Sequence, residues 1–285
     1  MTTFDYHEPT SLAEALALVK EYGDDAALIA GGTNLVIMMR QGLVTPKHVI
    51  GLRKLRELRG IAPTAQGGIE IGALTTHREV ERSAMVERFF PALCRTFGHI
   101  ATVRIRNQAT VGGNVVHADP AQDPPPMLLA LNAEIVVASD AKTRTIPATE
   151  FFRDFFEVAL EPGEIVTAVR IPPQPSGLKG TYVKFLPGSK DDYATVAVAA
   201  ALKLGPDGTC EDIRIGLGSL GATPLRAPKT EAALKGKKLT EQVISDAAPL
   251  VRDEVDPLDD IRGSAKYKRE MARVWTERAL KSLLK

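Results

Sequence analysis

Two glycine doublets in similar surroundings constrain the fold of this chain more than any other feature. The first, Ala30-Gly31-Gly32-Thr33-Asn34, follows an apolar run at residues 26–30 and precedes another at residues 35–40. This order predicts a buried strand, a tight turn and the start of a helix. Backbone N–H groups at such a helix start lack internal partners and favour a bound phosphate. A strand–helix turn without any ligand is the alternative interpretation.

The second doublet repeats the residue types of the first. Thr110-Val111-Gly112-Gly113-Asn114 again combines a hydroxyl residue, two glycines and an asparagine. One loop for each phosphate of a dinucleotide would explain the repetition, although Gly-Gly-Asn is also favourable in a β-hairpin turn. Taken together, the two doublets favour a function in dinucleotide binding.

A third glycine-rich segment imitates a nucleotide-binding motif. Gly216-Leu217-Gly218-Ser219-Leu220-Gly221 matches the spacing G-x-G-x-x-G and follows an apolar strand. That motif requires a helix to begin at once, and Pro224 and Pro228 interrupt any helix in this register. We therefore predict a turn between strands here and reject a Rossmann fold.

The first 175 residues divide into two predicted lobes. Residues 1–55 form a β-α-β unit, in which a helix from the Ser11 cap to Gly23 precedes strands at 26–30 and 48–52. Residues 56–175 form a second lobe that begins with a hairpin at Gly67-Gly68. The rest of this lobe contains a helix capped by Thr75 or Thr76, helices at 88–97 and 126–131, and strands at 133–138 and 165–171.

A proline cluster marks the start of a third unit. Pro172-Pro173-Gln174-Pro175 excludes regular structure, so residues 176–285 are predicted to form a separate α+β domain. Strands are expected at 180–185 and 213–217, and helices at 240–252 and 264–284. Residues 194–204 have the composition of a buried helix, with a strand over 199–204 as the alternative.

Composition excludes several classes of function. The net charge of +1 gives no global attraction for nucleic acid. Neither cysteine, Cys94 or Cys210, lies in the spacing of a metal site or beside a histidine that would activate it, and no acid–base dyad is apparent, so we expect no metal site and no catalytic residue. The start of the chain lacks a signal-peptide pattern, and no apolar run is long enough to cross a membrane. We therefore expect a cytoplasmic protein.

The order of the motifs resembles that of a known family. Residues 30–35 and 110–114, followed by His117-Ala118-Asp119-Pro120 and Asp123, are similar to the FAD-binding medium subunit of the molybdenum hydroxylases. That group includes xanthine dehydrogenase and aerobic carbon monoxide dehydrogenase. Also typical of it are Gly72-Ala73-Leu74-Thr75-Thr76-His77, Asp192-Tyr193-Ala194 and Ile261-Arg262-Gly263-Ser264-Ala265.

The resemblance implies a fold and a set of cofactor-binding residues. The fold is an α+β, two-lobed FAD-binding domain of the vanillyl-alcohol oxidase and p-cresol methylhydroxylase type, followed by a C-terminal α+β domain. Residues 28–35 and 110–114 would line the pyrophosphate of FAD, and Asp123 would hold ribityl or ribose hydroxyls. Lys184 would lie near the pyrimidine edge of the ring, and Tyr193 would lie near the ring or be an ordinary packed tyrosine. Ile100 and Val166 would pack against flavin or adenine. The implied residues are Leu28, Ile29, Ala30, Gly31, Gly32, Thr33, Asn34, Leu35, Ile100, Thr110, Val111, Gly112, Gly113, Asn114, Asp123, Val166, Lys184 and Tyr193.

The resemblance also implies partners. A large subunit would carry molybdopterin, a small subunit would carry two 2Fe–2S clusters, and the whole would be a dimer of heterotrimers. Electrons would reach FAD on this chain one at a time and leave to an external acceptor. The 4-hydroxybenzoyl-CoA reductase branch has an added four-cysteine loop, which two cysteines cannot reproduce. The alternatives are a self-sufficient single-chain flavin reductase of the same fold and a scaffold that has lost FAD; the intact glycine loops argue against the scaffold.

Overall fold

A three-stranded parallel sheet begins the computed structural model, which describes residues 3–189 and 191–285. The elements here are β1 (Asp5–His7), α1 (Leu12–Tyr22), β2 (Ala26–Ile29), α2 (Leu35–Gln41) and β3 (His48–Gly51). The strand order is β1-β3-β2, so the β-α-β unit is extended by one short strand. As expected, α1 begins where the Ser11 hydroxyl accepts the N–H of Glu14, and it ends at Gly23, whose φ is 49°.

A second, antiparallel sheet of five strands forms the centre of the following part. This part of the chain contains seven strands, five of them in this sheet: β4 (Ile61–Pro63), β5 (Ile69–Gly72), β6 (Glu134–Ala138), β7 (Thr143–Pro147), β8 (Phe152–Asp154), β9 (Glu157–Val158) and β10 (Ile165–Ile171). The sheet has the order β4-β5-β10-β6-β7, and β8 pairs with β9 separately. The predicted turn at Gly67 and Gly68 joins β4 to β5. Ile71, Val137 and Val169 have no exposed surface, because the helices cover one face of this sheet.

Seven helices of this part pack around the second sheet in the described residues. They are α3 (His77–Glu81), α4 (Ala84–Phe89), α5 (Pro91–Gly98), α6 (Val103–Arg106), α7 (Val111–His117), α8 (Pro124–Ala130) and α9 (Ala148–Phe151). The cap of α3 is Thr76, whose hydroxyl accepts the Glu79 N–H. The single helix predicted over 88–97 was wrong: Phe90 is extended and Pro91 starts a new helix, because proline fits the first helical position but not the interior.

The C-terminal part is a four-stranded antiparallel sheet with helices. Its elements are β11 (Lys179–Phe185), β12 (Val196–Leu204), β13 (Cys210–Gly218), β14 (Leu225–Arg226), α10 (Pro228–Leu234), α11 (Glu241–Ala247) and α12 (Ala265–Ser282), and the strand order is β11-β12-β13-β14. The helix predicted over 194–204 was wrong, and the alternative strand is present. Ala197 and Ala199 face the core around α8, whereas Val196 and Val198 face the core around α12. Burial on both faces removes the alternation that identifies a strand.

The segment with the G-x-G-x-x-G spacing, residues 216–221, has a packing role. No helix follows Gly221 before Pro228. The prediction that this segment does not begin a Rossmann fold is therefore confirmed. A Cβ at Gly216 would overlap the carbonyl oxygen of Pro126, so this glycine allows α8 to lie directly on β13.

None of the helices in the described ranges is both long enough and apolar enough to cross a bilayer.

Candidate functional site

The first glycine loop lies between the end of β2 and the start of α2. Gly32 has a φ of 70°, which a residue without Cβ adopts at little cost. Gly31 packs directly against the backbone at Gln108, since a Cβ at position 31 would overlap the carbonyl oxygen of Gln108. Among the residues that the structure describes, no acceptor pairs with the backbone N–H groups of residues 31–35. Five consecutive N–H groups therefore lack an internal partner, and four of them belong to residues 32–35, which line a cavity and can bind an anion.

The second glycine loop uses its donors internally. Thr110 caps α7 by accepting the N–H of Gly113 at 3.2 Å. The N–H of Val111 donates to Thr75 O at 3.0 Å, and the N–H of Gly112 donates to Ala73 O at 2.8 Å. The doublet lies in a helix and not in a hairpin. Its two glycines therefore bring the backbone close to the cleft, but their N–H groups are already hydrogen-bonded within the chain.

The absence of side chains at this doublet is required by packing. A Cβ at Gly112 would lie 2.6 Å from the Cβ of Ala73, and one at Gly113 would lie 3.0 Å from the Thr110 hydroxyl oxygen and 4.0 Å from the Cβ of Ala30. The two loops consequently face each other across a narrow space.

A cleft with two connected cavities lies between and beside these loops. The first cavity, of about 280 Å³, is lined by most of the residues predicted to bind the pyrophosphate. The second, of about 200 Å³, is lined by the residues predicted to lie near the flavin ring. Of the implied residues, the first is lined by Leu28, Ile29, Ala30, Gly32, Thr33, Asn34, Leu35, Thr110, Gly112, Gly113, Asn114 and Val166. The second is lined by Thr33, Asn34, Ile100, Asn114, Asp123, Lys184 and Tyr193. Gly31 and Val111 line neither cavity. The residues common to both cavities are Thr33, Asn34, His77, Ala109, Asn114 and Gln122.

A buried polar network forms one wall of the second cavity. Lys184 Nζ donates to an Asp123 oxygen at 3.0 Å and to the His99 carbonyl at 3.1 Å, and the Tyr182 hydroxyl donates to the other Asp123 oxygen at 2.6 Å. Burial raises the pKa of Asp123, and the charge of Lys184 opposes that shift. Burial also raises the pKa of Tyr182 well above its usual value. Both Asp123 oxygens are thus already hydrogen-bonded within the chain.

Tyr182 was missed in the sequence analysis. Its signal was its position two residues before Lys184 on one strand, because residues i and i+2 of a strand point to the same face. His77 and Gln122 were also missed as lining residues. His77 is buried at the wall of the cleft.

Tyr193 lies at the mouth of the second cavity and is 38% exposed. The guanidinium of Arg262 lies 5.5 Å from its ring centre and also pairs with Asp192 at 2.9 Å. Arg262 thereby joins the loop before α12 to the rim of the cleft, and it holds Tyr193 by cation–π attraction.

The cleft fits an elongated ligand with one anionic section. Unpaired N–H donors are concentrated at residues 31–35, and a buried cation, Lys184, lies at the far end. Between them lie buried polar atoms without partners in the described chain, on His77, Asn114 and Gln122. A dinucleotide carrying a polar ring system has this distribution of charge and hydrogen-bonding groups.

Comparisons with known proteins match almost the whole length of the chain. Residues 2–174 match the family described as the FAD binding domain in molybdopterin dehydrogenase, and residues 181–283 match the CO dehydrogenase flavoprotein C-terminal domain. The carbon monoxide dehydrogenase medium chain of Afipia carboxidovorans is 35% identical over 278 residues, covering 98% of this chain and 96% of that protein. The glyceraldehyde dehydrogenase medium chain of Sulfolobus acidocaldarius is 34% identical over 280 residues, covering 98% of both. The solved carbon monoxide dehydrogenase of Hydrogenophaga pseudoflava matches with a TM-score of 0.95 at 35% identity, over 99% of this chain and 98% of that one.

Proposed function

The chain belongs to the family of FAD-binding chains of molybdopterin dehydrogenases, and on that premise we propose that it carries FAD for a molybdenum hydroxylase complex. The predicted α+β fold and the predicted family are confirmed by the matches over both parts of the chain. The observation that carries the proposal is the row of four unpaired N–H groups at residues 32–35, which line the same cavity as the second glycine loop.

The pyrophosphate of FAD is proposed to lie at the first loop. Unpaired N–H groups stabilise an anion at no cost in lost internal hydrogen bonds, and among the described residues the first loop offers a row of them, whereas residues 111–114 of the second loop donate internally. The second loop, residues 110–114, would then support the opposite side of the pyrophosphate, where Gly113 permits close approach. Residues 28–30 and Val166 would complete the apolar wall around the adenosine side.

The flavin ring is proposed to lie in the second cavity, beside Ile100, Lys184 and Tyr193. FAD, when bound, supplies a site that collects single electrons and releases them in pairs. Lys184 is held by Asp123 and the His99 carbonyl, so its charge is fixed and favours negative charge on the ring. Tyr193, held by Arg262, would cover the open side of the ring.

The remaining parts of the proposal concern assembly. The relatives' description as medium chains supports one larger and one smaller partner chain. We propose that the large subunit carries molybdopterin, that the small subunit carries 2Fe–2S clusters, and that the whole is a dimer of heterotrimers in the cytoplasm. Residues 1–55 and 56–175 would be the two FAD lobes, and residues 176–285 the C-terminal domain.

Purification of the tagged chain from its own cells tests this function. We expect two further chains in equal amounts, with molybdenum, iron and FAD in the same fraction. A chain that purifies alone and reduces a substrate by itself would favour the single-chain flavin reductase. A chain that purifies without flavin would contradict both.

A further inference from the structure

Three polar side chains at the junction of the two cavities each have one atom without a hydrogen-bond partner in the described chain. His77 Nδ1, Asn114 Oδ1 and Gln122 Oε1 are buried, and each has no hydrogen-bond partner in the part of the chain that the structure describes. All three residues line both cavities, and His77 and Gln122 are only 1% and 6% exposed. A buried polar atom without a partner loses the hydrogen bonds that it makes to water in the unfolded chain, and no hydrogen bond within the protein replaces them. The cluster therefore points to a ligand that supplies the missing partners.

The protonation of His77 follows from its neighbours. Its Nε2 lies 3.1 Å from the carbonyl oxygen of Thr110, which can only accept, so Nε2 carries the hydrogen. Burial lowers the pKa of His77 to about 4, despite the opposing effect of that hydrogen bond, and the ring is neutral at pH 7. In this tautomer Nδ1 is an acceptor.

The cluster consequently offers three acceptors on residues that line both cavities. Acceptors bind O–H or N–H groups, whereas a phosphate at pH 7 presents acceptors of its own. The position is equally specific, because the cluster lies between the unpaired donors of residues 31–35 and the buried cation Lys184. In FAD, the segment between pyrophosphate and ring is the ribityl chain, which carries hydroxyl groups.

We propose that His77 and Gln122, together with Asn114, accept hydrogen bonds from the ribityl hydroxyls of FAD. The inference rests on the proposed function and deepens it. It makes these side chains selective for a flavin with a hydroxylated linker, and it assigns the linker to the region where the two cavities meet.

Titration with modified cofactors tests the inference. The tagged chain, purified with its accompanying chains and stripped of nucleotide, is titrated with FAD and with three analogues that each lack one ribityl hydroxyl. Flavin fluorescence reports the dissociation constant. We expect at least one analogue to bind about tenfold more weakly than FAD to the unaltered chain. In Gln122→Leu or His77→Gln that penalty should shrink to about twofold, because the acceptor has gone.

Two substitutions at His77 separate the acceptor from the structural role of the ring. His77→Gln keeps an amide donor near the Nε2 position for Thr110 but leaves no acceptor at the Nδ1 position. His77→Asn places a carboxamide oxygen near the Nδ1 position. The hydroxyl penalty should fall in His77→Gln and persist in His77→Asn. Gln122→Leu keeps the test decisive if a His77 variant does not fold.

Gln174→Leu is the matched control. Gln174 also has a buried Oε1 without a described partner, but it lines a different cavity beside Phe89 and Pro175. This variant should retain every hydroxyl penalty of the unaltered chain.

The outcomes distinguish the inference from the function. Failure of the unaltered material to bind FAD would remove the proposed function. Tight FAD binding with the same hydroxyl penalties in the unaltered chain, Gln122→Leu and His77→Gln would overturn the inference alone.

Discussion

The Lys184 ammonium lies 3.0 Å from a carboxylate oxygen of Asp123, and the two side chains are only 3% and 6% exposed. Lys184 belongs to β11 of the C-terminal part, and Asp123 directly precedes α8. The pair therefore joins the two parts of the chain at the wall of the cleft. It also holds the Lys184 ammonium in place there through its contact with the Asp123 carboxylate.

Removal of one member of this pair should be more harmful than removal of both. We expect Lys184→Met to lower the free energy of unfolding by about 3–5 kcal/mol, because it leaves the Asp123 carboxylate buried without its cation. The double variant Lys184→Met with Asp123→Asn should recover part of that loss. Urea unfolding measures both, and a double variant at least as unstable as the single one would contradict the explanation.

The first glycine loop should be more sensitive to a methyl group than its strain alone predicts. Gly32 and Gly42 have φ angles of 70° and 74°, so alanine at either position should cost about 1–2 kcal/mol in backbone strain. An added Cβ meets Ile29 at 3.1 Å only at position 32; at Gly42 it meets open space. We expect Gly32→Ala to lose FAD and Gly42→Ala to retain it, measured as flavin per chain. Equal flavin contents would refute a role for the loop.

His77 should make the fold less stable in acid. Its pKa is lowered from 6.5 to about 4 by burial, so below pH 6.5 the unfolded chain binds a proton that the folded chain excludes. The free energy of unfolding should then decrease by up to about 1.4 kcal/mol per pH unit between pH 6.5 and 4, and this contribution should level off below pH 4. Urea unfolding of the unaltered chain and His77→Gln at several pH values checks this. In His77→Gln the free energy of unfolding should depend less steeply on pH. Identical slopes in the two proteins would contradict this role of His77.

Gly216 should matter for packing and not for the nucleotide. An alanine there would overlap the Pro126 carbonyl, which would separate α8 from β13. We expect Gly216→Ala to lower the free energy of unfolding by about 1–3 kcal/mol, while folded protein keeps its FAD affinity. Loss of affinity in folded, equally stable protein would instead support a nucleotide role for the G-x-G-x-x-G segment.

Local chemistry made much of the fold predictable. Ser11 and Gly23 mark the ends of α1 because a side-chain cap and a positive φ are properties of single residues. The hairpin at Gly67 is recognisable for the same reason. Asp5–His7 was not predicted, since three residues carry too little pattern.

Tertiary context accounts for what the sequence did not reveal. The strand over Val196–Leu204 has apolar residues on both faces, so its pattern matches a buried helix equally well. The same limit applies at the site. The two glycine doublets have nearly the same residues, yet Thr75 and Ala73 take the N–H groups of the second, and only distant parts of the chain decide this. The spacing of Tyr182 and Lys184 predicts only a shared strand face, and the hydrogen bond of Tyr182 to Asp123 depends on the tertiary structure.

The most direct measurement of the central claim is the FAD content of the chain in its purified complex. Acid denaturation should release one FAD per chain, with the absorption band of an oxidised flavin beforehand. Fully assembled complex that contains no flavin and cannot be reconstituted with FAD would contradict the account.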